Sequence, residues 1–301
     1  MSLEQEIRTL RDERNAVILA HNYQRPEVQE VADFVGDSLY LSRKAVESAK
    51  PVIVFAGVRF MAETAKILNP SRTVLLPDPK AGCGLADAIT ADQLRTWKGE
   101  HPGAVVVAYI NTSAEVKAES DYCCTSSNAE EIIRRIPADQ EILFLPDVFL
   151  GEYVRRKTGR KIHLWMGDCP VHAKLRPEDL ERARAAHPGA PIVAHPECGC
   201  STQAMDHVDR VLSTDGMVRF AEETRAPEVI VATEVGILHR MRKLNPGTKF
   251  TPLSEGAICP FMKEIDLTDV RDSLALNQYV IDVEPVTAAK ARRALERMIA
   301  S

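Results

Sequence analysis

The sequence predicts an α/β protein built from three αβα sandwich domains, related by a pseudo-threefold axis, with parallel sheets and an active site at their common centre. Two observations lead to this fold class. First, a series of strand, hydroxyl and cysteine signals recurs three times along the chain of 301 residues. Second, the strands are continuous runs of Val, Ile and Leu, which is typical of parallel strands covered by helices on both faces.

Each copy of the repeat begins with an apolar strand that ends in alanine and a polar group. The three strands read VILAHNYQ, VVVAYINT and PIVAHPEC. Their alanines recur at intervals of 88 and 86 residues, at positions Ala20, Ala108 and Ala194. A helical stretch follows, and then a hydroxyl side chain beside a turn. These hydroxyls come 18, 18 and 20 residues after the alanines, at positions Ser38, Ser126 and Thr214.

Two more strands and an amphipathic helix complete each copy. The second strands read VIVFAG, EILFLPD and VIVATE, and the helices that follow place apolar residues near i, i+3 and i+4. The third strands read TVLLPD, KIHLWMGD and KFTPLSE, and each leads to a cysteine. These cysteines come 63, 61 and 65 residues after the alanines, at positions Cys83, Cys169 and Cys259. Each copy is therefore predicted to fold as β-α-β-α-β.

The repeat sets the predicted domain boundaries. The first domain covers residues 1–86 and includes an N-terminal helix, the second covers 87–172, and the third covers 173–263. A C-terminal extension, residues 264–301, closes the fold. Within it we expect a strand or loop over DSLALNQYVIDV and a final helix over TAAKARRALERMIA, with Thr287 as the N-cap.

Composition excludes several classes of partner. The formal net charge is −5, the isoelectric point is near 6.0, and the sequence contains no basic block, so neither nucleic acid nor an anionic membrane surface is an expected partner. No apolar run reaches the roughly 18 residues that a membrane-spanning helix requires. The charged N-terminal stretch MSLEQEIRTLRDERNA lacks the apolar core of a signal peptide. We therefore expect a cytoplasmic protein.

The seven cysteines divide into two groups. In a reducing compartment structural disulfides are improbable, so metal binding, catalysis or burial must account for the thiols. One cysteine occupies the same position in each repeat, and the ends of parallel strands are where ligands gather, so Cys83, Cys169 and Cys259 are predicted to bind one metal centre. The other four have no counterparts and are predicted to be packing residues: Cys123, Cys124, Cys198 and Cys200.

Three thiolates can hold two kinds of metal centre. One is a zinc ion with water as its fourth ligand, and the other is a [4Fe–4S] cluster with one iron that lacks a cysteine. Zinc sites usually take at least two ligands from one short spacing, whereas these three are far apart in the sequence. That difference favours the cluster, whose open iron would be a Lewis acid suited to carboxylate or hydroxyl oxygens.

The recurring hydroxyls predict an anion site. Ser38, Ser126 and Thr214 stand near helix starts, where hydroxyls and backbone N–H groups bind carboxylate or phosphate oxygens. The alternative is that each hydroxyl only caps its helix. Three matching positions favour the anion site over three separate caps.

A second polar set follows the first strand of each repeat. His21 and His195 occupy the same place in repeats one and three, and Tyr109 occupies it in repeat two. A single strand-end histidine is more often a core residue, but a converging set can bind carboxylates and exchange protons. Glu197, two residues after His195, is predicted to act as a general base or to orient a neighbour, and the alternative is an ordinary surface glutamate.

Eight segments between residues 20 and 263 together resemble the quinolinate synthase family. In order they are AHNYQ, GDSLYLSRKA, AYINTSAEVKAESD, CTSSNA, WMGDCPVH, AHPEC, STDGM and ICPFMK. The resemblance implies a three-domain fold and condensation of iminoaspartate with dihydroxyacetone phosphate to give quinolinate, phosphate and water. It also implies a [4Fe–4S] cluster on Cys83, Cys169 and Cys259, and a functional link to an aspartate oxidase or dehydrogenase that supplies iminoaspartate.

The resemblance also implies which residues contact the substrates. The positions that match the substrate-binding set of the family are His21, Ser38, Tyr109, Ile110, Asn111, Ser126, His195, Pro196, Glu197 and Thr214. Tyr23 and His172 match residues that line the same cavity and are candidate acid/base groups beside Tyr109, His195 and Glu197. One departure is Phe261, where the family pattern leads us to expect Asn; it affects packing beside Cys259 but removes no ligand.

Two other functions are compatible with the residue pattern. One is an iron–sulfur or zinc hydro-lyase that acts on small hydroxy acids. The other is a non-catalytic iron–sulfur sensor or electron carrier. A carrier would not require the His, Tyr, Asn and Glu set, and its cluster would normally have four protein ligands.

Overall fold

Three four-stranded sheets, in which every strand pair is parallel, organise the chain in the computed structural model, which describes residues 2–200 and 207–301. The first sheet contains β1 (Ala16–His21), β2 (Phe34–Gly36), β3 (Val52–Ala56) and β4 (Thr73–Leu75). The second contains β5 (Val105–Tyr109), β6 (Tyr122–Cys124), β7 (Ile142–Leu145) and β8 (Ile162–Leu164). The third contains β9 (Ile192–Ala194), β10 (Arg210–Val211), β11 (Glu228–Ala232) and β12 (Lys249–Pro252).

The three sheets have the same topology. Their strand orders are β2-β1-β3-β4, β6-β5-β7-β8 and β10-β9-β11-β12. In each sheet the first strand in sequence therefore lies between the second and the third. The α/β class and the threefold repeat predicted from the sequence are confirmed.

Helices connect the strands and cover the sheets. In the first repeat they are α1 (Leu3–Glu13), α2 (Pro26–Val31), α3 (Ser38–Glu47) and α4 (Arg59–Leu68). In the second they are α5 (Ala91–Glu100), α6 (Ala114–Ala118), α7 (Ala129–Arg135) and α8 (Val148–Thr158). In the third they are α9 (Pro177–Ala186), α10 (Thr214–Glu223) and α11 (Ile237–Leu244), and the extension adds α12 (Leu267–Leu276) and α13 (Pro285–Ile299). Short 3₁₀ turns occur at Ala86–Ala88 and His172–Lys174.

Local sequence explains both the strands and the helix ends. All six residues of β1 are buried, as expected for a continuous apolar strand with helices on both faces. Helix α8 begins where the Asp147 side chain accepts the Leu150 N–H, and it ends at Gly159 with a positive φ of 66°. No helix in residues 2–200 and 207–301 combines the length and apolar character needed to cross a lipid bilayer.

The structure adds one strand to each predicted repeat. The expected β-α-β-α-β pattern omitted β2, β6 and β10, which are only three, three and two residues long. Strands this short carry no readable hydrophobic periodicity. Each stands at a sheet edge, immediately before or close to a predicted hydroxyl position.

The prediction for the C-terminal extension was partly wrong. The segment DSLAL is the end of α12 rather than a strand or loop, and Asn277 ends this helix with a positive φ of 57°. The final helix starts at Pro285, and its N-cap is Glu284 instead of Thr287, because the Glu284 carboxylate accepts the N–H groups of residues 286 and 287. Helix α13 packs against α6 and β6 of the second repeat and α4 of the first, so it joins two repeats.

A polar contact joins the first and third repeats. The Oδ1 atom of Asp215, at the start of α10, accepts hydrogen bonds from Asn22 Nδ2 at 3.2 Å and from the Asp37 N–H at 3.0 Å. Burial, together with the nearby Asp37 carboxylate, raises the pKa of Asp215 to about 6. Arg240 lies 3.8 Å from the same carboxylate and opposes this shift only in part.

Replacement of Asp215 by asparagine is predicted to stabilise the protein at about pH 8 more than at about pH 5. Because the folded-state pKa is raised to about 6, the wild-type protein loses stability as the pH rises through that value. Asparagine keeps the Oδ1 acceptor but cannot ionise, so the free energy of unfolding should rise by about 2 kcal/mol at the higher pH. Denaturant unfolding measures both values, with exposed Asp139→Asn as the control. An equal effect at both pH values would contradict the prediction.

Candidate functional site

A cavity lies where the carboxyl ends of the three sheets meet. His21 ends β1, Tyr109 ends β5, and His195 directly follows β9, and all three side chains line it. The space between these side chains, open solvent at its mouth included, amounts to about 670 Å³. In each sheet the strand order reverses between the first strand and its neighbour, the third strand. Ligands of parallel sheets bind beyond the carboxyl ends of the strands at such a reversal.

Most of the residues singled out from the sequence line this cavity. They are His21, Tyr23, Ser38, Cys83, Tyr109, Asn111, Ser126, Cys169, His172, His195, Glu197, Thr214 and Cys259. Ile110 and Pro196 are buried but are not among the lining residues. Asn111 Oδ1 is buried and has no hydrogen-bond partner among the described residues, so it can accept a hydrogen bond from a ligand.

The seven thiols fall into the two groups that the repeat predicts. Cys83, Cys169 and Cys259 are partly exposed and line the cavity. The other four are fully buried in apolar clusters: Cys123, Cys124, Cys198 and Cys200. Burial raises the pKa of Cys83 to about 12 and also raises the pKa values of Cys169 and Cys259. The three thiols are therefore neutral by themselves, and a metal centre would displace their protons on binding.

The spacing of these three sulfurs bears on the kind of metal centre. A single tetrahedral zinc ion, with Zn–S bonds of about 2.3 Å, requires sulfurs about 3.8 Å apart. Among the described residues, the three sulfurs do not form a group whose atoms all lie within 4.8 Å of one another. Sulfurs that bind different irons of one cluster lie farther apart than ligands of one ion. The three sulfurs are therefore not arranged for one zinc ion, and three soft donors that line one cavity are a ligand set suited to an iron–sulfur cluster.

Glu197 and His172 form a buried ion pair beside Cys169. The Glu197 Oε2 atom lies 3.1 Å from His172 Nδ1, which is also 3.2 Å from Cys169 Sγ. Burial alone would raise the pKa of Glu197, but His195, His172 and the Tyr109 hydroxyl outweigh it and lower this pKa to about 2. Burial likewise opposes the charge of His172, but Cys169 and Glu197 raise its pKa to about 10. The pair is therefore a carboxylate and an imidazolium.

The two strand-end histidines are neutral and have the same tautomer. Burial lowers the pKa of His21 to about 3 and that of His195 to about 4. Each ring accepts a backbone N–H at Nδ1, from Tyr23 at 3.1 Å and from Glu197 at 3.4 Å. The proton must then be on Nε2, which in His195 lies 3.2 Å from Ser126 Oγ. Both rings can thus donate a hydrogen bond to an anionic or carbonyl oxygen.

The three predicted hydroxyls are not the N-caps of their helices. The side-chain caps of α3 and α10 are Asp37 and Ser213, while Ser38 and Thr214 are the first helical residues. Ser126 lies three positions before the start of α7. The capping alternative is therefore wrong for these positions. Thr214 Oγ1 accepts a hydrogen bond from Asn22 Nδ2 at 3.1 Å, and Ser126 Oγ lies 3.2 Å from His195 Nε2, while all three hydroxyls line the cavity.

Sequence reasoning missed Thr233 and Glu234, which follow β11. Thr233 Oγ1 lies 2.5 Å from the Tyr23 hydroxyl and 2.8 Å from His172 Nε2, so it holds both side chains. Glu234 is fully buried, accepts the Cys259 N–H at 3.1 Å and pairs with Lys263 Nζ at 2.9 Å. Both residues end the VIVATE strand, and the rule that polar groups collect at strand ends would have found them.

Phe261, the departure from the family pattern, lies against the loop of another repeat. A β-carbon placed on Gly82 would be 3.7 Å from the Phe261 ring, and one placed on Gly84 would be 3.9 Å from it. The ring therefore covers the two glycines that flank Cys83. It packs beside one cavity thiol without replacing any polar group that lines the cavity.

The fold and the cavity define a class of α/β protein in which three similar repeats enclose a thiol-bearing cavity with their strand ends. A family model described as quinolinate synthetase A protein matches residues 5–300. A quinolinate synthase of Thermus thermophilus is 54% identical over 301 residues, covering 99% of this chain and 97% of the relative. That of Mycobacterium sp. strain KMS is 52% identical over 305 residues, covering 98% and 90%. The chain belongs to the quinolinate synthase family.

Replacement of Glu234 by glutamine is predicted to destabilise the third repeat and the Cys259 loop. It removes one charge of a buried ion pair and leaves Lys263 uncompensated, which should lower the free energy of unfolding by about 3 kcal/mol. Urea unfolding measures this change. The control is Glu131→Gln, which breaks the exposed pair with Arg135 and should have little effect. Similar stabilities of the two variants would show that the Glu234 pair does not hold this loop.

Proposed function

We propose that this protein is a quinolinate synthase that condenses iminoaspartate with dihydroxyacetone phosphate to give quinolinate, phosphate and water. The observation that carries the proposal is one cavity that combines three thiols with neutral histidines, hydroxyls and a buried carboxylate. An electron carrier requires only the thiols. The reaction would belong to NAD biosynthesis in the cytoplasm, with iminoaspartate supplied by an aspartate oxidase or dehydrogenase.

We infer that Cys83, Cys169 and Cys259 hold a [4Fe–4S] cluster. With three protein ligands, such a cluster supplies an open Lewis-acid position that favours loss of a hydroxyl group. The neighbouring residues support this assignment, because the Glu234 carboxylate holds the backbone of Cys259 and the Phe261 ring covers the loop of Cys83.

Hydrogen-bond donors, rather than cations, are inferred to bind the anionic substrates. None of the described residues that line the cavity is Arg or Lys. The available donors are the hydroxyls of Ser38, Ser126 and Thr214 and the Nε2–H groups of His21 and His195. Such donors in a water-poor cavity bind carboxylate and phosphate oxygens strongly, because few water molecules compete for them. Asn111 adds an amide at the same edge.

Proton transfer is assigned to the side chains around Glu197. The carboxylate of Glu197 is ionised and can accept a proton from a substrate amine or hydroxyl. His172 is protonated and can donate one. Burial raises the pKa values of Tyr23 and Tyr109 well above their usual range, so both phenols remain protonated and serve as hydrogen-bond donors. Thr233 keeps Tyr23 and His172 in contact with each other.

A zinc hydro-lyase is the competing function, and one group of residues favours it. Ligand atoms of Cys169, His172 and Glu197 all lie within 4.8 Å of one another. A single zinc ion could bind there and activate water for addition or elimination. In that case Cys83 and Cys259 would have no metal ligand role.

Removal of one cavity thiol is predicted to abolish both the cluster and the activity. Anaerobically purified protein should contain about four iron and four sulfide per chain and should form quinolinate from the two substrates. Cys83→Ala should lose the cluster absorbance and the product, whereas Cys124→Ala, which removes a fully buried thiol, should retain both. One zinc per chain, with no quinolinate formed by the wild type, would favour the hydro-lyase instead.

Removal of each hydroxyl is predicted to weaken ligand binding while the cluster stays intact. Ser38→Ala, Ser126→Ala and Thr214→Val each delete one hydrogen bond to a charged group, so the dissociation constant for quinolinate should rise about 10- to 100-fold. Equilibrium binding to the holoprotein measures this, and the visible absorbance reports the cluster. Ser213→Ala tests the neighbouring cap and should lower stability more than affinity. Unchanged affinity in all three variants would exclude these hydroxyls from the site.

A further inference from the structure

Two histidines and a glutamate meet at the amino end of the second sheet, away from the cavity. His101 ends α5, Glu141 directly precedes β7, and His163 lies in β8, beside Leu143 of β7. The cavity is formed at the opposite, carboxyl ends of the strands. These three residues, here called the His-His-Glu cluster, have no role in the proposed reaction. His101 and Glu141 correspond to His187 and Glu228 of the third repeat, which pair at 3.1 Å. The second histidine, His163, distinguishes the cluster, because Thr251 occupies its position in the third repeat.

The geometry of the cluster converges on one carboxylate oxygen. Glu141 Oε2 lies 3.8 Å from His101 Nδ1 and 3.7 Å from His163 Nε2, and the three atoms all lie within 4.8 Å of one another. Both separations exceed a hydrogen bond. His163 Nε2 is also buried and has no hydrogen-bond partner among the described residues. A buried ring nitrogen that faces a carboxylate without bonding to it can take a third group that binds both.

We propose that the His-His-Glu cluster is a binding site for a divalent transition-metal cation, with zinc the preferred ion. Two imidazole nitrogens and one carboxylate oxygen are a ligand set that zinc takes in proteins, and a solvent molecule would be the fourth ligand. A tetrahedral ion requires ligand atoms about 3.3 Å apart, so small side-chain rotations suffice. The side chains of His101, Glu141 and His163 are 24%, 44% and 28% exposed, so an ion can reach them from solvent.

Neighbouring groups support a metal ion at this position. Lys161 Nζ lies 3.1 Å from the other oxygen, Oε1, and so orients the Glu141 carboxylate while leaving Oε2 free for the ion. The two imidazole rings lie 4.2 Å apart between centroids, at an interplanar angle of 45°. Bound metal would connect the end of α5 to β7 and β8.

The two tryptophans of the chain provide a local probe of this site. The Trp97 ring packs edge-on against His101 with 6.1 Å between centroids, and the Trp165 ring lies 5.5 Å from Trp97. A paramagnetic Ni²⁺ ion in the cluster would therefore quench the intrinsic tryptophan fluorescence. The titration should use anaerobic holoprotein, in which the cavity thiols are already occupied, with the visible absorbance followed throughout.

The test compares the wild type with His101→Gln, His163→Gln and Glu141→Gln. The wild type should bind one Zn²⁺ per chain by calorimetry and show saturable quenching by Ni²⁺ that excess Zn²⁺ reverses. Each substitution should weaken Zn²⁺ binding at least about tenfold, and the double histidine variant should lose the quenching.

The matched control is His239→Gln. His239 pairs with Glu30, which also pairs with Lys243, and neither ion pair includes a second histidine. The control variant should bind Zn²⁺ like the wild type. The exposed Glu141→Gln variant keeps the test valid if a histidine variant fails to fold, which circular dichroism would reveal. Equal Zn²⁺ affinity and equal quenching in the wild type and in Glu141→Gln would overturn the proposal, as would the absence of quenching in the wild type.

Discussion

Parallel strand pairing is the constraint on which the rest of the structure depends. A parallel ladder directs the carboxyl ends of all its strands to one edge, and it requires helices that cover both faces of the sheet. Because the three sheets share one strand order, three such edges can face one centre. The polar residues and thiols that follow the strands therefore line one cavity, together with apolar side chains such as Phe60, Met61 and Met262.

Burial then determines the charge of each group in the cavity. Thiols, phenols and two histidines are neutral there, since nearby groups compensate for their desolvation only in part. Glu197 keeps its charge because His172 lies beside it, and Glu234 is matched by Lys263. The cavity thus contains one compensated ion pair, Glu197 and His172, and one carboxylate, Glu234, whose partner Lys263 lies behind the lining. An anionic ligand there meets hydrogen-bond donors and no uncompensated positive charge.

The fold class, the repeat and most of the residues that line the cavity could be predicted from the sequence, because their residue patterns recur at a fixed sequence interval. The cysteines and hydroxyls recur once per repeat, so their shared position implied a shared place in space. The edge strands β2, β6 and β10 were too short to show periodicity. Glu234 and Thr233 occupy positions where the other repeats have apolar or different residues, so the comparison of repeats did not reveal them. Two members of the His-His-Glu cluster, His101 and Glu141, recur as His187 and Glu228 in the third repeat, but His163 does not recur there, so the comparison of repeats did not reveal the cluster.

The contiguity of each sheet has a consequence for the order of folding. Each sheet is made from one uninterrupted part of the chain, so the first two can form during synthesis while later residues are still being added. The cavity, in contrast, needs all three edges, and its last thiol, Cys259, lies beyond β12, the last strand of the third sheet. Helix α13, which packs on the first two repeats, follows later still. Any group that binds all three thiols must therefore enter a chain in which all three sheets have been synthesised.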